Sequence, residues 1–265
     1  MIRQFLSKSR QKMRNAYYGF HPHVIDCCVR NKTISLKVSS WIEKFRADTY
    51  ETKEPETLDW LDAELKDDDI LFDIGANIGV YSLYAAALNS KCRIFSFEPE
   101  AQNFSHLCQN IYRNGFLNIT PCNVALSSKE HFDYFHVTQM VAGSAFHSLY
   151  RPSPHQKGGA VSVLRQGALC ASLDGLINHH GLPCPTLLKL DVDGIEHEII
   201  QGAKNALQSG KIRSLLVELN GDKRSGPVAD ILIFLKNAGY KVVHQGKEGI
   251  TGTGEINANF IFQLI

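Results

Sequence analysis

Apolar residues fall along this chain in two rhythms. Short unbroken runs alternate with longer segments in which they return every three or four positions. The runs at 70–74, 93–97, 118–124, 186–191 and 212–219 predict strands buried on both faces. Between them, 79–88, 100–114, 194–208 and 227–238 predict helices. Ile195, Ile199, Ala203, Ala206 and Leu207 share one face of the third helix, while Pro227 opens the fourth and Gly239 closes it. Two further strands, 240–244 and 259–264, are joined only by the Gly-rich stretch 245–255, which predicts an antiparallel pair. Alternating strands and helices give an α/β fold: a doubly wound, mostly parallel sheet of seven strands with one antiparallel member. Upstream, Leu58, Leu61 and Leu65 mark a helix at 57–65, and 33–37 reads as a short strand. Segment 126–185 has no comparable rhythm and reads as a long irregular insertion on the acceptor side of the domain, a length that usually carries function.

The N-terminal stretch differs in charge. Residues 1–40 hold eight Lys/Arg against one acid, Asp26, whereas the whole chain is only +1. Ile2, Phe5, Leu6, Met13, Ala16 and Tyr17 recur at helical spacing among these basic residues, predicting an amphipathic helix packed on the domain. Its sharper reading is a peripheral membrane or lipid-linked substrate contact through residues 1–16. The expected division is a basic extension at 1–40, packed on or preceding the core, and one domain at 41–265. Near-neutral overall charge gives no whole-protein argument for nucleic acid. Ile2, Phe5 and Leu6 are too few for the apolar part of a signal peptide, and no stretch is long and apolar enough to span a membrane. Seven cysteines, odd in number and without a C-x-x-C pair, suit buried thiols in a reducing cytoplasm better than disulfides or zinc.

The candidate chemistry sits at two strand ends. Leu71-Phe72-Asp73-Ile74-Gly75-Ala76-Asn77-Ile78-Gly79 is a buried strand closing on an acid, then a glycine-spaced turn and a helix start. Ile94-Phe95-Ser96-Phe97-Glu98-Pro99 is a second strand that ends on a carboxylate able to accept from ribose hydroxyls. Asn77 stands where a dinucleotide fingerprint needs its second glycine, and no Gly-Lys-Ser/Thr follows, so neither a pyrophosphate turn nor a P-loop is present. The third piece is Leu188-Lys189-Leu190-Asp191-Val192-Asp193-Gly194-Ile195-Glu196, which crowds three carboxylates where the fourth strand meets its helix.

Taken in order, these pieces resemble the FkbM family of methyltransferases. Asp-x-Gly-x-x-x-Gly also looks like motif I of S-adenosylmethionine-dependent methyltransferases. Residues 50–57, Asn103-Phe104, Asn110, Asn123–Ser127, Val217-Glu218 and Asn259–Phe262 extend the likeness over roughly 40–265. Asp193 departs from it, standing where the family usually has Glu. The resemblance implies a class I, Rossmann-like domain, S-adenosyl-L-methionine as cofactor, and methyl transfer to a hydroxyl on a glycan, sugar or natural product. It places Asp73, Gly75, Ala76, Asn77 and Gly79 at the methionine end and Glu98 on the ribose hydroxyls. Asn123 or Ala125 would border the adenine, and Asp191 would face the sulfonium and the acceptor.

Asp191 is the first candidate general base, with His147 and His155 behind it; His197 falls inside a helix and points away from the cleft. Asp191, Asp193 and Glu218 form an alternative oxygen set for Mg²⁺, but helix-start electrostatics accounts for acids here and no metal is assigned. Methylation of RNA or protein is the competing activity, and a cofactor-binding module without catalysis the competing class. The complete set of Asp73, Glu98 and Asp191 argues against the latter.

Overall fold

The computed structural model describes residues 2–145, 147, 149, 162–192, 194–246 and 256–265. The chain opens with α1 (Ile2–Phe20), a hairpin of β1 (His23–Val29) and β2 (Lys32–Val38), then α2 (Trp41–Asp48) and α3 (Pro55–Glu64). Next come β3 (Ile70–Ile74), α4 (Val80–Leu88), β4 (Arg93–Phe97), α5 (Ala101–Asn114) and β5 (Ile119–Cys122). Three strands of a small second sheet follow, β6 (Ala125–Leu126), β7 (His131–Val137) and β8 (Leu164–Ala171). The remainder is α6 (Leu173–Asn178), β9 (Leu187–Leu190), α7 (Glu196–Gln201), α8 (Lys204–Gln208), β10 (Ser214–Gly221), α9 (Gly226–Asn237), β11 (Tyr240–Gln245) and β12 (Ile256–Leu264).

The central sheet has seven strands in the order β11-β12-β10-β9-β3-β4-β5, parallel except for β12, which runs antiparallel to both neighbours. The chain leaves β3 towards β4 and β5 on one side and later returns to β9 on the other. That reversal opens a crevice at the carboxyl ends of β3 and β9, the usual place for a ligand in an open α/β sheet. Both faces of the sheet are covered. Phe72, Leu188 and Val217 pack with Leu173 and Ile199 on one side; Leu71, Leu187 and Leu216 pack with Leu83 and Leu107 on the other. Val29, Ile34 and Leu36 of the hairpin, all at 0% exposure, belong to that second core, so β1 and β2 are built into the α4–α5 face.

Three expectations change. Helix 194–208 is two helices, interrupted at Gly202, whose carbonyl accepts from Asp174 N–H at 2.9 Å while the Asn205 and Ala206 amides donate to the Asp174 carboxylate. Segment 126–185 is not irregular throughout, since β7 and β8 pair antiparallel over His131–Val137 and β6 joins them. Their alternation escapes notice because Phe132, Tyr134 and Leu169 face solvent, so hydrophobicity does not separate the two faces. The short strand predicted at 33–37 has a partner, His23–Val29, whose pattern Asp26 interrupts. Residues 247–255, most of the expected Gly-rich connection, lie outside the described residues, but β11 and β12 do pair antiparallel.

α1 shows Met13, Tyr17 and Phe20 at the surface, and Arg14 stacks over the Trp41 ring at 4.2 Å. Among the described residues no helix is long and apolar enough to cross a membrane. None of the seven cysteines is in a disulfide.

Candidate active site

The turn after β3 is set by its own hydrogen bonds. Gly75 and Ala76 both donate to the Phe97 carbonyl at 3.0 Å, Asn77 N–H donates to Glu98 Oε2 at 2.8 Å, and Ile78 N–H to the Asn77 side chain at 3.0 Å. Gly79 N–H closes the turn on the Ala76 carbonyl at 2.8 Å. All five amides from 75 to 79 are therefore satisfied within the protein. A phosphate-binding loop needs such groups free and pointing at the ligand, and this loop offers none.

Glu98 ties the turn to the next strand. One oxygen accepts from Asn77 N–H and the other from Glu100 N–H at 2.8 Å, while Glu100 itself caps α5 by accepting from Asn103 N–H. Burial pushes the Glu98 carboxyl up to about 8, against the lowering effect of those two amides. An acid raised in this way favours folding fully below its ordinary value near 4.3, and that contribution is lost as pH climbs through about 8. The unliganded protein is therefore expected to melt at lower temperature at about pH 9 than at about pH 5, a dependence that Glu98→Gln should remove. Thermal denaturation across that range checks it.

Beneath the turn lies a buried charge cluster. Lys189, only 1% exposed, puts its ammonium 2.9 Å from Asp191 Oδ2 and 3.4 Å from Asp73 Oδ1. The longer contact is electrostatic, since Asp73 Oδ1 has no hydrogen-bond partner. Asp73 Oδ2 accepts from Ser82 Oγ at 2.5 Å. Burial disfavours the lysine's charge, but Asp191 and Asp73 outweigh it and hold the ammonium ionised. Burial likewise works against the Asp191 charge, yet Lys189 and a side-chain hydrogen bond with Glu218 bring that carboxyl down to about 2.

The crevice holds a cavity of about 250 Å³, with Gly75, Asn77, Glu98, Ala125 and Asp191 on its wall. Val124, Leu126, Phe135 and Leu149 make an apolar end; Arg46, Lys53, Glu54, Glu218 and Asn220 supply charge and polarity elsewhere. Part of the roof is the chain around Gly143–Ala145. Asn103 holds it from α5, accepting from Gly143 N–H at 2.8 Å and donating to the Ser144 carbonyl at 3.1 Å, to which Asn77 also donates at 2.9 Å. Asn103 is 1% exposed. Asn103→Ala leaves a buried N–H without a partner and is expected to cost about 1–3 kcal/mol in urea denaturation.

Of the residues singled out in the sequence, Asp73, Ala76, Gly79 and Asn123 lie off the cavity wall. Asp73 is turned beneath the loop to Ser82 and Lys189, and Ala76 is buried. Gly79 lies against Leu107, and Asn123 donates to the carbonyls of Glu98 and Pro99. His147 reaches the wall but has no lone pair to offer. Its Nδ1 accepts from Thr138 N–H at 3.2 Å, so Nε2 carries the proton and donates to Ser144 Oγ at 2.7 Å. Burial lowers its pKa to about 4, fixing it neutral. Glu196 bonds the Gly194 amide at its own helix start, away from the cavity. His197 sits in α7, also off the wall. Asp193 and His155 lie outside the described residues. Sequence reading missed Arg46, which reaches the cavity from a short helix that carries no motif, and gave no role to Lys53, although it lies in the 50–57 stretch of the likeness.

This fold and cleft define the class: a doubly wound α/β domain with a ligand cavity at its topological switch point. Residues 73–242 match the family model described as the methyltransferase FkbM domain, and the chain belongs to that family. It is similar to hexuronic acid methyltransferase AglP of Haloferax volcanii, 31% identical over 160 residues, which cover 59% of this chain and 58% of that protein. Against the 31-O-demethyl-FK506 methyltransferase FkbM of Streptomyces tacrolimicus it is 23% identical over 209 residues, covering 72% of this chain and 79% of that one. A solved methyltransferase FkbM from Methylobacillus flagellatus KT is similar with 17% identity and a TM-score of 0.49, over 74% of this chain and 45% of that one. The chain thus spans little more than half the length of the archaeal relative it matches.

Proposed function

We propose that this chain uses S-adenosylmethionine to methylate a hydroxyl on a sugar or small natural product. The observation that carries the reading is the loop at 75–79, whose amides are all spent internally while Glu98 stands beside it on the wall. A nucleoside ligand without phosphates fits that donor set. Each Glu98 oxygen takes one backbone N–H and keeps a lone pair for a ribose hydroxyl. The apolar end beside Ala125 suits a purine, and Asp191, Glu218 and Glu54 suit the positive charges of the methionine end. When bound, the cofactor supplies an activated methyl group and a neutral thioether leaving group.

The protein's part is alignment and proton handling. Alignment of acceptor oxygen, methyl carbon and sulfur can supply several kcal/mol. Asp191, ionised beside Lys189, accepts the hydrogen bond of the acceptor hydroxyl. With a carboxyl at about 2 it is too weak a base to deprotonate an alcohol beforehand. It receives the proton as the oxygen becomes methylated and that proton turns strongly acidic. Seven thiols outside any disulfide favour a reducing compartment such as the cytoplasm.

Two variants divide the roles. Asp191→Asn is expected to lower turnover about 10²–10⁴-fold, a larger loss than its loss of cofactor affinity, and Glu98→Ala to weaken cofactor binding instead. Transfer of a radiolabelled methyl group to a panel of glycosides, with affinity measured in parallel, tests both. Full turnover by Asp191→Asn on a hydroxyl acceptor would remove it from the chemistry.

A further inference from the structure

Arg46 and Lys53 stand where the cavity meets a shallower groove of about 180 Å³. With Ser144 and Ala145 they line both spaces, and the groove runs outward to half-exposed Phe45. The carboxylates on the cavity wall are all engaged. Glu54 is paired with Lys53 and accepts from the Tyr81 hydroxyl at 2.8 Å; Glu98 takes two backbone amides; Asp191 has Lys189 and Glu218. Arg46 is different. Its Nε donates to the Gly143 carbonyl at 2.8 Å, and among the described residues its guanidinium has no ion-pair partner. A guanidinium anchored through Nε keeps its terminal N–H groups in the planar arrangement that suits a carboxylate.

We infer that Arg46, with Lys53 beside it, forms a subsite for a carboxylate. The subsite rests on the methyl-transfer reading and gives it a substrate class: an acceptor whose carboxylate is held at the groove while its hydroxyl reaches Asp191. The pair straddles cavity and groove, whereas Gly75, Glu98 and Ala125 line the cavity alone, which favours the acceptor over the cofactor as the source of the carboxylate.

The test is calorimetric titration of wild type, Arg46→Gln and Lys53→Gln with two ligand pairs, each differing in one carboxylate. The acceptor pair is methyl β-glucuronide and methyl β-glucoside, with and without S-adenosylhomocysteine. The cofactor pair is S-adenosylhomocysteine and its decarboxylated counterpart. Wild type should prefer the glucuronide by about tenfold or more. Arg46→Gln should erase that preference while changing S-adenosylhomocysteine affinity by less, and Lys53→Gln, which disturbs no backbone contact, should reduce it. Selective loss of the preference within the adenosyl pair would keep the subsite and assign it to the cofactor. No preference in wild type within either pair, or one that survives both substitutions, overturns it. Wild type blind to both adenosyl ligands would refute the methyl-transfer reading, and the glucuronide titration without them would still read the subsite.

Discussion

Gly75→Ala is expected to abolish binding at the cavity and to lower stability by about 2–5 kcal/mol, the sum of a left-handed backbone penalty and overpacking. Gly75 has φ +83°, and a Cβ on it would lie 1.9 Å from the Asp191 carbonyl oxygen and 3.2 Å from Val192 Cγ1. The first contact is with backbone, so no rotamer change relieves it; the carboxyl ends of β3 and β9 must part, carrying Asp191 with them. Gly79→Ala is a useful comparison. There a Cβ would meet Leu107 Cδ1 at 2.5 Å, the tip of a side chain that can turn aside, at φ +92°. Its loss should be smaller and its binding partly kept. Urea denaturation and calorimetric titration of both variants measure this, and near-native stability of Gly75→Ala would contradict it.

Lys189→Met is expected to destabilise by about 3–5 kcal/mol, the usual cost of removing one partner from a buried ion pair. It leaves the buried Asp73 carboxylate, and the partly exposed Asp191 beside it at the adjacent strand end, with no cation between them. The pH dependence carries the sharper signature. Asp191, lowered to about 2, contributes stability that is present above the ordinary carboxylate value near 3.9 and lost as pH falls towards 2. Without Lys189 that carboxyl rises, so the acid-side loss should shrink and shift to higher pH. Denaturation curves between about pH 2 and pH 7 test it; a variant with wild-type stability and acid profile would refute the ion-pair account.

What could be read in advance was local in sequence. Asp73 through Gly79 and Glu98 are short-range signals, and alternating strands and helices led to the seven-stranded sheet and its one antiparallel member. The reason for the first glycine was not legible. Gly75 borders the cavity, yet its missing Cβ makes room for the Asp191 carbonyl, just past the end of a strand more than a hundred residues later. Arg46 was hidden for the same kind of reason. Its helix is short, and the Ser40 side chain that caps it also donates to the Ala142 carbonyl, tying it to the roof. Asn77 reads as a contact at the methionine end and Asn103 as part of the family likeness; only the fold shows them gripping Ser144. Of the pair Asn123 and Ala125, Ala125 lines the cavity, while Asn123, close in sequence to the wall, commits its amide to Glu98 and Pro99.

The central claim is a nucleoside site built for a cofactor without phosphates. Calorimetric titration of the wild-type protein with S-adenosylhomocysteine and with NAD, in buffers of different ionisation enthalpy, tests it most directly. The account predicts micromolar binding of the first with release of a proton near neutral pH, as ribose hydroxyls draw Glu98 into its ionised form, and no binding of NAD. Binding of NAD with silence for S-adenosylhomocysteine would contradict it.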